Sequence, residues 1–428
     1  MTFRMKNIYI LIALISLSRE TLFSQASEKD LQLNTITTAL PFMSITPDSR
    51  AGGMGEAGTS ISATCNSIYW NTSSLVFAKE NSEIGISYTP WLRQLTNDMS
   101  ISYLSGYKKI SDKQAFGASL RFFSLGDITF TDNTGKVTRN DKPSEWEITG
   151  GYALKLSPKL SLGLNGKFAY SNLTGGLVVG NVNTKAAIAG ATDISFTYFN
   201  DDAKIGATNG TYTFATTINN IGNKVNYSTG STQRDFIPMN LKLANSFKAD
   251  IDKYNNIAIA LEFQKLLVPT PPIYELVTNG STSDYQMIAG RNNNVGIISG
   301  IMQSFYDAPG KIATDANGNY LKNSDGSYQI VKNSKLREEL TEINIATGLE
   351  YWYNNIFALR GGFFYESKNK GGRRYANIGI GLKYNKFGID LSYLLAVNGK
   401  SSPLANTLRF SLRMSFGNDK KVTEQAPQ

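Results

Sequence analysis

Thr407-Leu-Arg-Phe-Ser-Leu-Arg-Met-Ser-Phe416 alternates between two chemistries from end to end. One phase carries Leu408, Phe410, Leu412, Met414 and Phe416; the other carries Thr407, Arg409, Ser411, Arg413 and Ser415. A period of two is the mark of a strand with unlike faces. Two arginines on one face would be costly against lipid, so that face belongs to a polar interior and the apolar one to acyl tails. A soluble sandwich would put the apolar phase in a core instead. The polar phases of other strands, and the need to close a sheet that lipid cannot hydrogen-bond, favour a membrane barrel.

Working outward from this strand, the same alternation recurs upstream with turn signals between segments. It runs through Phe387–Tyr393, Ala376–Tyr384, Phe357–Tyr365 and Ile343–Tyr351, then Ile257–Phe263, Leu241–Phe247, Tyr212–Ile218 and Ile194–Tyr198. Nearer the N-terminus it continues in Leu160–Tyr170, Trp146–Leu154, Phe116–Phe122, Met99–Tyr103 and Ile84–Tyr88. The total is about fourteen, an even number as single-chain bacterial barrels require. Met99, Ile101 and Tyr103 are assigned to the lipid face and Ser100 and Ser102 to the lumen, like Ser161, Gly163 and Asn165. Connections alternate short and long, as periplasmic turns and extracellular loops do. The medium-length gap 200–209 fits least well. Tyr88, Trp91, Trp146, Tyr351, Trp352, Tyr353, Tyr365 and Tyr384 lie towards strand ends, where interfacial girdles belong.

Residues 39–80 lack both periodicities and are rich in glycine and small polar residues. They are expected to form a plug within the barrel. Gly53, Gly55 and Gly58 satisfy G-x-G-x-x-G. A dinucleotide site needs that motif inside a βαβ unit, which the surrounding sequence does not offer. The glycines are therefore read as places of positive φ or close backbone approach. Asp48 and Arg50, two apart, are read as an ion pair tying the plug to the wall.

The composition narrows the functions. Among 428 residues there is no histidine, which removes the commonest general base and zinc ligand. No catalytic residue, metal ligand or cofactor is assigned, and the protein is not expected to be an enzyme. The single cysteine, Cys65, rules out an internal disulfide. The net charge of +9 is scattered, without the dense basic run of a nucleic-acid binder. Arg4 and Lys6 before the apolar run Ile8–Leu17 mark a secretory signal peptide over 1–25. The expected organisation is thus signal peptide 1–25, plug segment 26–80, barrel 81–416 and a periplasmic tail 417–428. Within the barrel, 265–340 forms a long extracellular loop. It opens with the proline-stiffened arm Lys265, Leu266, Leu267, Val268, Pro269, Thr270, Pro271 and Pro272. Short helices are expected near 300–306 and 334–340.

Three stretches carry a resemblance: the plug string PDSRAGGMGEAG with Tyr69-Trp70-Asn71, the arm KLLVPTPP, and residues 348–395. Together they resemble the PorV family of type IX secretion outer-membrane barrels, which is related to FadL-type fatty acid transporters. The resemblance implies an all-β, fourteen-stranded FadL-like barrel in the outer membrane that is not itself the secretion pore. The matching plug residues are Asp48, Arg50, Gly52, Gly53, Gly55, Trp70 and Asn71. Implied partners are the translocon barrel, the C-terminal domain of secreted cargo, a surface attachment complex with a sortase-like protease, and outer-membrane lipid. No nucleic acid is implied. FadL relatives carry Asn-Pro-Ala in the plug where this chain has Asn71-Thr72-Ser73.

Two functions follow. In the first, the chain is a shuttle that takes cargo from the translocon to the attachment complex, with the arm at Lys265–Pro272 as contact. The alternative is a transporter of long-chain fatty acids or other hydrophobic solutes, gated by the plug. A lipid A hydrolase, a third idea, lacks histidine and paired carboxylates.

Overall fold

The computed structural model describes residues 33–417, apart from 133, 174–175, 177, 180–181, 207, 280–281, 398–403 and 405. The expected signal peptide, the first residues of the plug segment and the tail after 417 lie outside the described residues.

Fourteen strands close into one antiparallel barrel in chain order. They are β1 (Ser82–Pro90), β2 (Ser100–Ser111), β3 (Gln114–Ser124), β4 (Ser144–Ser157), β5 (Leu160–Asn172), β6 (Ala187–Ile205) and β7 (Thr208–Gly222). The circuit continues with β8 (Asn240–Asp250), β9 (Asn255–Leu266), β10 (Ile343–Tyr353), β11 (Phe357–Tyr365), β12 (Arg374–Tyr384), β13 (Phe387–Ala396) and β14 (Leu408–Phe416). Closure is made by β1 against β14, with Ser82 opposite Phe416 and Tyr88 opposite Phe410. Every strand foreseen from the alternation is present. Among the described residues no helix is long and apolar enough to cross a membrane.

One end of the barrel carries tight turns, such as those between β2 and β3, β4 and β5, and β12 and β13. The other carries the long loops, three of which fold back into two-stranded hairpins. The irregular gap at 200–209 is resolved as strand. β6 runs to Ile205 and β7 starts at Thr208, so β6 continues past the end of β5 at Leu160, while β8 stays beside β7 as far as Gly210.

The final strand has the polarity read from it. Phe410 is 39% exposed on the outer surface, and Arg409, pointing inward, is 2% exposed. β2 departs from the expectation. Ile101 and Tyr103 face the lumen and are buried, while Leu104 is exposed on the outer surface. Ser102 lies opposite Tyr88 and Phe122 on that outer face. The plug is the reason. It offers apolar contacts inside the barrel, so Ile101 packs with Phe42 and Met43, and Tyr103 with Ile68 and Trp70.

Candidate functional site: the plugged lumen and its external cap

The described chain begins among the long loops. The Asn34 N–H donates to the Asn369 carbonyl at 2.9 Å and its side-chain amide to the Pro271 carbonyl at 3.0 Å. The chain then descends through the lumen. A 3-10 turn (Pro41–Ser44) leads to α1 (Ser49–Gly53), α2 (Ser67–Trp70) and a second 3-10 segment (Thr72–Phe77). It reaches the short-turn end where the Cys65 N–H donates to Glu83 at 2.8 Å and β1 begins.

α1 is short, and its register is fixed by its cap. Asp48 has extended backbone and accepts from the Ala51 N–H at 3.0 Å, which satisfies an otherwise open donor of the first turn. The other Asp48 oxygen accepts from the Trp70 indole at 2.6 Å, locking α2 against α1. Arg50 turns the opposite way, and here the structure corrects the expected pairing of Asp48 with Arg50. Arg50 makes a two-pronged contact with Glu350 of β10, 2.7 and 2.9 Å long. Glu350 also accepts from Arg360 at 2.7 Å, and Arg360 pairs with Asp390 at 2.8 Å. Asp390 pairs with Arg413 at 2.9 Å, and Arg413 reaches Glu83 at 3.5 Å. Three guanidiniums thus face three carboxylates in one chain across the lumen. A second tie joins Glu56 to Arg409 at 2.9 Å.

The glycines let backbone meet backbone. Gly55 has φ +66, and a Cβ there would collide with the Phe363 nitrogen and the Thr347 carbonyl. A Cβ on Gly52 would lie 2.8 Å from the Arg409 guanidinium, and one on Gly53 would lie 3.1 Å from Gly379. Asn377 donates to the Gly52 carbonyl. Asn71 bridges the Thr59 carbonyl and the Thr197 hydroxyl at 3.0 and 2.8 Å, fixing the second 3-10 segment against β6. Above the plug floor remains a cavity of about 290 Å³ whose wall mixes Glu56, Lys242 and Lys370 with Met43 and Phe364.

The arm Lys265–Pro272 is turned inward. Leu267 and Val268 are buried in the apolar cluster of Phe42, Phe236, Ile237 and Met239. Pro269, Thr270 and Pro272 are buried as well, while Leu266 and Pro271 are half-buried. Lys265 reaches Glu342 at 2.5 Å, and Lys370 reaches Glu338 and Glu342 at 2.7 and 2.9 Å. Thr270 donates its hydroxyl to Glu342 at 2.7 Å and its N–H to Asp307 at 3.0 Å. Glu339 accepts from the Ala308 N–H at 2.8 Å. Three carboxylates (Glu338, Glu339, Glu342) therefore share two ammoniums, and a fourth, Asp307, lies beside them with only neutral donors, Thr270 and Gln303. Burial first, and the nearby Glu342 and Glu339 as well, push the Asp307 carboxyl up to about 6. Burial also raises Glu339.

This buried frame holds an exposed surface. Ile273–Asn279 and Thr282–Ala289 form a two-stranded hairpin with Tyr274 opposite Met287 and Leu276 opposite Tyr285. All four are exposed, Tyr285 by 69%. Beside it, α3 (Ile297–Gln303) exposes Ile298 and Met302, followed by Phe305 and Tyr306. α4 (Ser334–Thr341) supplies Glu338 and Glu339 to the frame. Both helices fall close to where the sequence suggested them.

The structure brings Asp48, Arg50, Gly52, Gly53, Gly55, Trp70 and Asn71 together in the lumen and keeps the arm apart in the cap. The sequence reading missed Glu350, Arg360, Asp390 and Glu83. Each sits in the lumen-facing phase of its strand, so a charge in an otherwise small or polar phase was the available signal.

The sequence matches the family model described as "Type IX secretion system protein PorV" over residues 27–273. No curated protein matches. Similar solved structures include the P. putida toluene transporter TodX, at 12% identity and TM-score 0.43, with 87% of this chain and 99% of that chain covered. The Ralstonia pickettii toluene transporter TbuX gives 11% identity and TM-score 0.41, over 87% and 98%. A Pseudomonas aeruginosa FadL homologue gives 10% identity and TM-score 0.40, over 90% and 100%.

Proposed function

The chain belongs to the type IX secretion system protein PorV family, and from that premise we propose that it is an outer-membrane carrier that docks the C-terminal domain of secreted cargo on its external cap. In this reading the long-loop end faces outward and the tight turns face the periplasm, as in other single-chain barrels. The observation that carries it is the hairpin 273–289. It presents four exposed apolar side chains on one face, and among the described residues no further strand pairs with either of its edges. An incoming β-rich domain can extend such an edge by strand addition while its side chains cover the apolar face. Tyr285 and Tyr274 suit the centre of that contact, since aromatic anchors dominate interface energetics.

Lys265 to Pro272 then serve as the mount that fixes the hairpin, because most of their side chains are spent on the buried frame. The plug residues Asp48, Arg50, Gly52, Gly53, Gly55, Trp70 and Asn71 seal the lumen, which suits a carrier that is not the secretion pore. The translocon barrel would deliver cargo to the cap, and the sortase-like attachment complex would receive it.

Replacing 274–288 by a short Gly-Ser linker tests the proposal. Cargo should no longer co-purify with the variant and should fail to reach the surface, while the barrel still assembles in the outer membrane. Normal cargo release would refute the reading. Loss of fatty-acid uptake with normal secretion would favour the transporter instead.

A further inference from the structure

The ladder between β6 and β7 is interrupted inside the lumen. Thr192 of β6 lies opposite Ile221 and Ile194 opposite Ile218, so β7 spends two residues, Asn219 and Asn220, against the single Asp193. Such a bulge bends the strand and re-aims its side chains. Asn220 has φ +61, and its polar groups are all in use. Its N–H donates to Asp193 at 2.7 Å, its amide nitrogen donates to the Pro238 carbonyl at 3.0 Å, and its amide oxygen accepts from Lys167 at 2.8 Å. Asn219 beside it is buried and borders the cavity above the plug.

The register carries this polar wall around the barrel. Asn219 lies opposite Asn240, and Lys242 lies opposite Gln264, which on its other side lies opposite Asn344. Each of these side chains belongs to a residue lining the cavity. Among the described residues, the side-chain amides of the buried Asn219 and Asn344 make no hydrogen bond, and the Asn240 Oδ1 atom is buried without a partner. The Lys242 ammonium lies 4.4 Å over the Trp70 ring, and the carboxylate it faces, Glu262, is 3.7 Å away, outside hydrogen-bond reach. Glu262 already accepts from the Gln264 amide at 2.9 Å and from the Thr59 N–H at 3.0 Å.

Buried polar groups are ordinarily partnered, so open amides and an ammonium with spare N–H groups around one cavity mark a place for a polar ligand. The other charges on the wall are spent: Lys167 on Asp193, Lys370 on Glu338 and Glu342, Arg373 on Glu366, and Glu56 on Arg409. Amides donate and accept alike, which matches hydroxyl groups. A spare ammonium is met best by a carboxylate. A volume of about 290 Å³ suits one small molecule, and an acyl chain would leave the amides unmatched. Thr35, exposed at the long-loop end, borders the cavity, so it is reached from that side.

We propose that the cavity is a binding site for a small acidic sugar, a monosaccharide bearing one carboxylate. The carboxylate faces the Lys242 ammonium, and the ring hydroxyls exchange hydrogen bonds with Asn219, Asn240 and Asn344. The site goes beyond the cargo reading and does not depend on it, since it lies in the lumen and not on the hairpin.

Isothermal titration calorimetry of the full chain in a sugar-free detergent tests the site with glucuronate, glucose and hexanoate. Glucuronate should bind about tenfold more tightly than glucose, the scale of one hydrogen bond to a charged group. Hexanoate keeps the carboxylate and the carbon number but has no hydroxyl. It should bind more weakly than glucuronate by about tenfold or more, because open amides reject a ligand that cannot pair with them. Lys242→Met should bring glucuronate down to the level of glucose. Asn344→Leu should weaken both sugars by about tenfold. Heat-modifiable migration on a gel verifies that each variant barrel closes; if Lys242→Met does not, the three probes and Asn344→Leu still decide. Hexanoate binding as tightly as glucuronate, equal binding of the two sugars, or indifference to both substitutions would overturn the proposal. So would the absence of saturable binding of either sugar, the result for a cavity that holds water only.

Discussion

The plug, residues 39–80, and the cap, residues 265–342, fill opposite parts of one barrel, yet their charges are balanced differently. In the plug network, three guanidiniums meet three carboxylates, and Gly55 lets the backbone press on the wall. In the cap, Glu338, Glu339 and Glu342 share Lys265 and Lys370 with Asp307 buried beside them, and much of the remaining cohesion comes from Leu267 and Val268 in an apolar cluster. A balanced buried network has no protonation state that relieves it near neutral pH. A frame with surplus carboxylate does, through the carboxyl that burial has already raised. The comparison teaches that the lower closure is built to stay and the upper one to respond.

The largest expected effect is at Glu350. Glu350→Gln leaves Arg50 and Arg360 buried without their shared counter-charge, which costs about 3–5 kcal/mol. The thermal midpoint of the folded barrel in detergent should fall steeply, and an unchanged midpoint would remove the network from its anchoring role. The double change Arg50→Met with Glu350→Met should be milder than Glu350→Gln alone, since no buried charge on the plug side is stranded.

A glycine pair separates plug from cap more finely. Gly55 and Gly326 both have positive φ, +66 and +83, but nothing lies within 4 Å of a Cβ at Gly326. Gly326→Ala should cost only the left-handed strain of about 1–2 kcal/mol. Gly55→Ala should cost more, because the added methyl has nowhere to go. Equal losses in unfolding midpoint would show that the plug does not press on the wall.

Protonation should tell the two regions apart as well. The raised Asp307 carboxyl contributes stability that is fully present below its ordinary value near 3.8 and is lost as pH rises through about 6. Amide exchange at Leu267, Val268 and Thr270 should therefore be slower at pH 5 than at pH 7.5, after correction for intrinsic rates. Asp307→Asn should flatten that difference. A wild-type cap whose exchange, corrected for intrinsic rates, does not change between these pH values would contradict the assignment.

The mildest test carries no energetic cost. Thr35 is exposed at the long-loop end, and the natural Cys65 is buried. Thr35→Cys should react with a membrane-impermeant maleimide added to intact cells, while the unsubstituted chain stays silent. Labelling that needs permeabilised cells would invert the orientation of plug and cap.

Much of this was legible before any coordinates. Alternation located all fourteen strands, and the phase of Arg409 and Arg413 gave inside and outside. It misled at β2, because Ile101 and Tyr103 answer to the plug rather than to lipid. The plug glycines were legible as close-approach residues. The arm was legible as stiff, but not as buried, since prolines and leucines look alike on a rim and beneath a cap.

Period-two hydropathy is a local property, written within ten residues at a time, so the sequence by itself determined the strands, their number and most of their faces. Which charge meets Arg50 is not local. Glu350 lies 300 residues away and arrives only when the circuit from β1 to β14 closes around the plug. The ion network and the buried frame beneath the hairpin were decided by that closure, because each needs side chains from segments brought together by neighbours far off in the chain.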